Sequence, residues 1–400
     1  MHNPFAEKNI FQLPVLGQGI FTFSNNEYCY PSSEHQEFSI IKFLNSSFDD
    51  GLEFIFKQNT ITCNRTSNSE IFVDPTNNQG LCNHISAFYW ISIDYNNLSI
   101  KAGLGEPRLE TQEYSFQFEE QYKSFLRSLF YVIPEENVQP LKLIKDPITT
   151  NIPLLVKNMN DFTMNDIAEN KYLPKANLSL QAQILYESIA GKRFLLNDES
   201  FPEFSKAIQY SIVTEGCWCN KKLIEKSGEF SSGSPNINET YLRITLGQNN
   251  GESPGIPFVM EIWPVGHYSP IHSHASTHAI IRVLHGSIEV ELYPFLCSGK
   301  NSIRPFATTD FHKNDVTWIS PELNQVHRLT NPDTNKDPCI TIQCYIYGKK
   351  NREHYDYFDF INDKGETEQY TPDSDMEFIA FKQLMKDEWE NRQKKFMCGF

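Results

Sequence analysis

The sequence predicts a mainly β protein in two parts, with helices confined to the join and to the C-terminal end. Three observations carry this prediction. Short apolar runs bounded by Asn, Gly and Pro recur through the first 150 or so residues and again from Thr240 to Tyr347. Between them lies a stretch whose apolar residues fall at helical spacing. Near the end comes a highly charged segment with one apolar face. With 400 residues, 40% of them hydrophobic and 13% aromatic, the chain can build two or three domains with real cores.

In the first part, Phe88-Tyr89-Trp90-Ile91-Ser92-Ile93 and Leu98-Ser99-Ile100-Lys101-Ala102 are candidate strands, and Asp94-Tyr95-Asn96-Asn97 is a plausible hairpin turn between them. Trp90-Ile91-Ser92-Ile93 followed by Ala102-Gly103-Leu104-Gly105 weakly resembles the farnesoic-acid O-methyltransferase-like β-sandwich module. No clustered carboxylates, His pair or phosphate loop proposes catalysis there. Residues 1–150 are therefore an all-β domain of unknown role, free to recruit a ligand or a protein. Pro140 to Pro153 is expected to be a connector.

Residues 151–238 form a linker and helical lead-in. Leu180, Ile184, Leu185 and Ile189 recur at helical spacing, with Gly191 as a stop. Phe204, Ile208, Tyr210 and Ile212 suggest a second helix, and Ser227 to Asn238 a loop. Residues 239–400 hold the second β domain. Phe258–Trp263, Ala279–Leu284 and Ser287–Leu292 are short strands, with His285-Gly286 as a turn, and their number and spacing suggest a double-sheet barrel of the jelly-roll type. From Met376 to Phe396, Phe378, Phe381, Leu384, Met385 and Trp389 line one helix face, which covers the barrel or a partner.

Charge and cysteine usage narrow the function classes. The 35 Lys+Arg against 50 Asp+Glu give a net charge of −15, which argues against nucleic acid and anionic membrane surfaces. No apolar run is long enough to span a bilayer, and the first residues lack the pattern of a signal peptide, so a cytoplasmic location is expected. The nine cysteines are scattered. Cys217-Trp218-Cys219 has no matching second pair, so these are expected to be reduced thiols, with a redox pair as the alternative.

The histidines carry the chemistry. His272 and His274 are two residues apart, which in a strand points both imidazoles to one side. His327, in Val326-His327-Arg328-Leu329-Thr330-Asn331, offers a third nitrogen. Imidazole suits Fe, Zn, Cu and Ni, so ligand type alone leaves the metal open. No acid follows the pair closely; the residues there are His278-Ala279. A neutral three-His set leaves a divalent ion's charge uncompensated and welcomes an anionic ligand such as a thiolate. His278 shares the pair's strand parity, and a supporting or packing role is expected for it rather than ligation.

These motifs occur in order: Tyr241-Leu242-Arg243, Trp263-Pro264-Val265-Gly266-His267, Ile271-His272-Ser273-His274, Leu284-His285-Gly286, His327 to Asn331, and Gln343-Cys344-Tyr345. The segment resembles cysteine dioxygenase, a family of cupin-fold, non-haem iron thiol dioxygenases, over roughly residues 160–350. The resemblance implies that His272, His274 and His327 bind Fe(II), and that L-cysteine and O2 combine there to give cysteine sulfinic acid. It implies that Arg243, with Tyr241 on the same side of its strand, holds the substrate carboxylate. It also implies that the Tyr345 hydroxyl faces the substrate carboxylate or the oxygen. Trp263 and Trp318 become cavity walls or core.

Three departures qualify the likeness. The family's cross-linking cysteine is replaced by Ala279, so no thioether to Tyr345 can form. The hydrogen-bonding histidine two residues before the tyrosine is Gln343, which donates and accepts but does not titrate. The Ser-Pro after the tyrosine is Ile346-Tyr347. The last change leaves open another small thiol, such as 3-mercaptopropionate or cysteamine, with Lys349, Lys350 and Arg352 as further cations or as a solvated loop. A non-catalytic metal-binding cupin is the remaining alternative.

Overall fold

The computed structural model describes residues 9–25, 39–57, 60–72, 80–81, 87–191, 194–231, 233–246, 258–274, 277–297, 304–346 and 358–397. The chain divides into two compact units, Met1–Asn151 and Ile152–Phe400. Among the described residues no helix is long and apolar enough to cross a membrane.

The N-terminal unit is built from two antiparallel sheets. One runs in the order Phe11–Gln12, Leu129–Pro134, Ser39–Asn45, Gly51–Lys57, Thr60–Arg65, Ile71–Phe72. The other runs Val138–Ile144, Gln18–Asn25, Phe88–Asp94, Ser99–Leu104, Gln112–Gln117. Side chains alternate in and out along each strand, so every second residue is available to a shared core. Aromatic rings fill it: Phe23 from one sheet meets Phe56 of the other edge-on, with centroids 5.2 Å apart. The expected turn at Asp94 forms, with Asp94 Oδ1 accepting from the backbone N–H of Asn96 and of Asn97 at 3.1 Å each. The expected connector is corrected in its first half. Val138–Ile144 is an edge strand paired with Gln18–Asn25, and its register slips between Pro140 and Lys142. An edge position with an irregularity is where a strand tolerates proline.

The C-terminal unit is a double sheet with helices on one side. Its larger sheet runs Tyr172–Pro174, Leu155–Lys157, Val316–Ile319, His278–His285, Cys339–Ile346, Phe258–Trp263, Leu242–Thr245, Met376–Glu377. The smaller runs Ala307–His312, Ser287–Tyr293, Val326–Thr330, His272–Ser273, Phe358–Ile361, Thr367–Tyr370. Trp263 and Val283 of the first meet Ile288, Val290, Leu292 and Phe360 of the second in one apolar cluster. The turn at His285-Gly286 joins the two sheets. Gly286 has φ +70°, and a Cβ there would lie 2.7 Å from the Pro338 carbonyl oxygen, so only glycine fits.

The helices cover the outer face of the larger sheet. Leu180–Ile189 begins at Ser179, whose Oγ accepts from the Ala182 N–H at 3.2 Å. Its buried face is Ala182, Leu185, Tyr186 and Ile189. The expected stripe is therefore corrected: Leu180 and Ile184 are 75% and 61% exposed. Both stripes satisfy helical spacing, and packing on the His278–His285 and Cys339–Ile346 strands selects one of them. Phe204–Val213, Trp218–Glu225 and the C-terminal Phe378–Met397 bury Phe204, Ile208, Leu223, Phe381, Met385 and Trp389 together. Cys219 lies in this cluster with its sulfur 3.8 Å from that of Met385. Burial pushes its thiol pKa up, the opposite of what a reactive thiol needs.

Candidate metal centre

The site begins with strand pairing. His272–Ser273 runs antiparallel to Val326–Thr330, and the register places His272 directly opposite His327. His274 follows one residue past the short strand. The three rings converge, with centroids 4.6 to 4.9 Å apart, and their nitrogens all lie within 4.8 Å of one another.

Backbone carbonyls orient the rings. His272 Nδ1 donates to the Pro270 oxygen at 3.0 Å, and His327 Nδ1 to the Asn324 oxygen at 3.2 Å. A carbonyl only accepts, so Nδ1 carries the proton and Nε2 keeps its lone pair for the site. Burial holds both rings neutral, with the His272 pKa lowered to about 4 and that of His327 to about 3. His274 is pushed well below its ordinary value, first by burial and then by the neighbouring rings. Its Nε2 stands 3.3 Å from that of His327. Two nitrogens each about 2.1 Å from one ion stand roughly 3.0–3.4 Å apart at ordinary coordination angles. The residues present thus fit a transition-metal ion.

Asn324 is a positioning residue that sequence reading passed over. Its φ is +62°, a left-handed conformation that Asn tolerates better than most residues. That turn aims its carbonyl at His327, and its Nδ2 donates to the Trp318 oxygen at 3.0 Å. Replacing Asn324 with Val should weaken metal binding roughly 10–100-fold, the usual cost of losing the partner that aims a ligand. Asn324→Gly, which keeps the backbone conformation, should lose clearly less. Calorimetric titration with Co(II) reads both.

The remaining predicted residues gather on the opposite wall. Tyr241, Arg243, Gln343 and Tyr345 line the same cavity as the three histidines, together with Trp263 and Trp318. Its volume is about 70 Å³, several times what one water needs (~10–15 Å³) on the same measure. Tyr241 stacks on Trp263, centroids 4.3 Å apart, and burial raises its hydroxyl pKa well above the ordinary value. The Tyr345 ring lies 5.8 Å from that of His274 and nearly parallel to it. Ala279 is the cross-strand neighbour of Tyr345, so no side chain beyond a methyl meets the tyrosine from that position.

His278 and Arg243 each have partners outside the histidine cluster. His278 turns away from the cluster: its Nδ1 lies 3.1 Å from Ser179 Oγ at the start of the Leu180–Ile189 helix. The Thr277 N–H is bonded back to the His274 oxygen at 3.0 Å, so the parity of the His272 and His274 pair does not carry on to His278. Arg243 does face the cavity, yet it is already ion-paired. Its Nη1 lies 3.1 Å from Oε1 of Glu261, its cross-strand partner. Glu261 was missed in the sequence, although a lone acid inside Phe258-Val259-Met260-Glu261-Ile262-Trp263 was a usable clue. Its other oxygen accepts from Gln343 Nε2, and the Tyr345 hydroxyl donates to Gln343 Oε1. Burial raises the Glu261 pKa against the opposing pull of Arg243 and Gln343. Tyr347, Lys349, Lys350 and Arg352 lie outside the described residues.

Comparison with known proteins places the chain as follows. No family model matches it. Cysteine dioxygenase type 1 of Rattus norvegicus is 23% identical over 105 residues, which is 26% of this chain and 50% of the relative. The Homo sapiens protein of the same name gives the same figures. The chain thus spans about half the length of the curated relatives it matches. Among solved structures, the Schizosaccharomyces pombe Cnp3 cupin domain aligns with a TM-score of 0.22 and 14% identity, over 28% of this chain and 66% of that one. With two sheets, a cavity lined by residues of both, and three histidines on its wall, the C-terminal unit has the double-sheet architecture that the cupin reading expects, and it could hold a metal ion.

Proposed function

We propose that the C-terminal unit is a thiol dioxygenase that uses a mononuclear iron site to oxidise a small thiol, with L-cysteine as the family's substrate, to its sulfinic acid. One observation carries this reading: three imidazoles, those of His272 and His327 buried and that of His274 half-buried, all with pKa values lowered toward the neutral form, share a cluster that contains no carboxylate ligand among the described residues. The likeness to cysteine dioxygenases agrees with it.

Fe(II), held by His272, His274 and His327, would supply redox chemistry that zinc lacks, with coordination positions left for further ligands. The chain's own residues do the rest. The neutral histidines leave the ion's charge for a thiolate to offset. Apolar side chains, including Val283, Ile288, Leu292 and Phe358, line most of the cavity. The Tyr345 ring lies beside that of His274, and its hydroxyl is fixed by Gln343 on the wall of the same cavity. The overall change is RSH + O2 → RSO2H: both oxygen atoms end on sulfur, which loses four electrons as O2 gains four.

The test is aerobic incubation of the full chain, loaded with Fe(II), with a panel of small thiols. We expect one iron per chain, one O2 consumed per thiol and a mass gain of two oxygens on the product. Intact thiols throughout, with iron bound, would refute the dioxygenase reading and leave a metal-stabilised cupin module.

A further inference from the structure

We infer that the thiol taken by this site carries no carboxylate, that a small aminothiol of the cysteamine class suits it best, and that Glu261 sets this preference. This deepens the thiol-oxidation reading and rests on it.

The argument starts from charge. By resemblance Arg243 is the group that would clamp a substrate carboxylate. Strand register sets Glu261 directly across from it, and their side chains are only 5% and 6% exposed. Gln343 holds the second Glu261 oxygen, and Tyr345 holds Gln343. The polar wall is thus a continuous chain of cation, anion, amide and phenol with no net charge. Among the described residues lining the cavity, Arg243 is the sole Lys or Arg, so no second cation stands ready for an anionic tail.

A carboxylate brought to Arg243 would sit within a few ångströms of the Glu261 carboxylate. Two like charges sharing one guanidinium oppose each other strongly where water is excluded. A neutral tail avoids that repulsion. An ammonium tail gains from it: each carboxylate oxygen has two lone pairs, and Arg243 and Gln343 occupy one on each. The same wall that disfavours 3-mercaptopropionate therefore offers an acceptor to cysteamine. L-cysteine, bearing both groups, falls between them.

The experiment compares cysteamine, L-cysteine and 3-mercaptopropionate on the full chain in two ways. Turnover of the Fe(II)-loaded protein gives kcat/KM. Anaerobic titration of the Co(II)-loaded protein, read by the thiolate-to-cobalt absorption band, gives affinity without chemistry. We expect cysteamine to lead 3-mercaptopropionate at least tenfold in both, with L-cysteine between. Glu261→Gln removes the negative charge, leaves Arg243 and conserves shape, and should narrow or reverse that ratio at least tenfold. If that variant fails to fold, the wild-type order alone decides. Preference for 3-mercaptopropionate, or an order unchanged in a folded Glu261→Gln protein, overturns the inference. Oxidation of the carboxylate thiols in preference would do so while sparing the dioxygenase reading. Selective cobalt binding of cysteamine with no thiol oxidised would do the reverse.

Discussion

His327→Ala should strip the C-terminal unit of its metal and abolish thiol oxidation. His327 supplies one of three nitrogens, and its Nε2 is 3.3 Å from that of His274, so its loss leaves two donors and an open side. Removing a residue that merely aims a ligand costs roughly 10–100-fold in metal affinity, and removing the ligand itself should cost more. Iron content after dialysis should fall below about a tenth of the wild-type value at that affinity loss. The stabilisation that a tight metal gives the folded protein, about 2.7 kcal/mol at a hundred times Kd, should vanish with it. His278→Ala is the matched control. Its ring is bonded to Ser179 and not to the cluster, so metal content should stay near wild type. Equal metal loss in the two variants would mean that the cluster at His272, His274 and His327 is not the binding site. A folded His327→Ala protein that keeps its iron would mean the same.

How much of this was legible before folding depended on whether one short pattern determined the answer. The His-x-His pair did so, because in an extended strand its two imidazoles point to one side, and a distant third His could be proposed from its flanking residues. The strands of both units were legible because short apolar runs bounded by Asn, Gly and Pro mark them. Where two patterns satisfied the same rule, only packing chose. The helix at Leu180–Ile189 has two apolar stripes, and the sheet selected Ala182, Leu185, Tyr186 and Ile189. Parity alone left His278 open to ligation, and its Nδ1 lies instead beside Ser179 Oγ. Pro140 hid an edge strand. The Trp218–Glu225 helix, short and interrupted by Asn220, Lys221 and Lys222, gave too weak a period to read. Glu261 was visible as a residue, but its pairing with Arg243 depends on strand register, which no local pattern fixes.

The metal-free protein should lose stability steadily as pH falls from about 6.5 toward 4. An unfolded histidine has a pKa near 6.5. In the folded unit burial lowers His272 to about 4 and His327 to about 3, with His274 well below its ordinary value. Between those limits the unfolded chain binds protons that the native fold refuses, so unfolding becomes more favourable as pH drops. The stabilisation is fully present above the unfolded value. It is lost through the window and gone below the folded value. For His272 alone the span corresponds to on the order of 3 kcal/mol. His267, His278 and His285, also lowered by burial, act in the same direction. Two acids oppose them. Burial raises Glu239 to about 7 and raises Glu261 as well, so each favours the fold more at lower pH. Six histidines against two acids give a net acid loss. It should appear as a falling urea midpoint for the C-terminal unit at pH 7.0, 5.5 and 4.5. Bound Co(II), which competes with the same protons, should raise the midpoint at neutral pH and steepen the decline. His272→Gln removes one titrating ring and should flatten the metal-free profile. A metal-free midpoint that stays level across this range in the wild type and is unchanged in His272→Gln would mean that burial does not hold these rings neutral, against the neutral cluster on which the proposed chemistry depends.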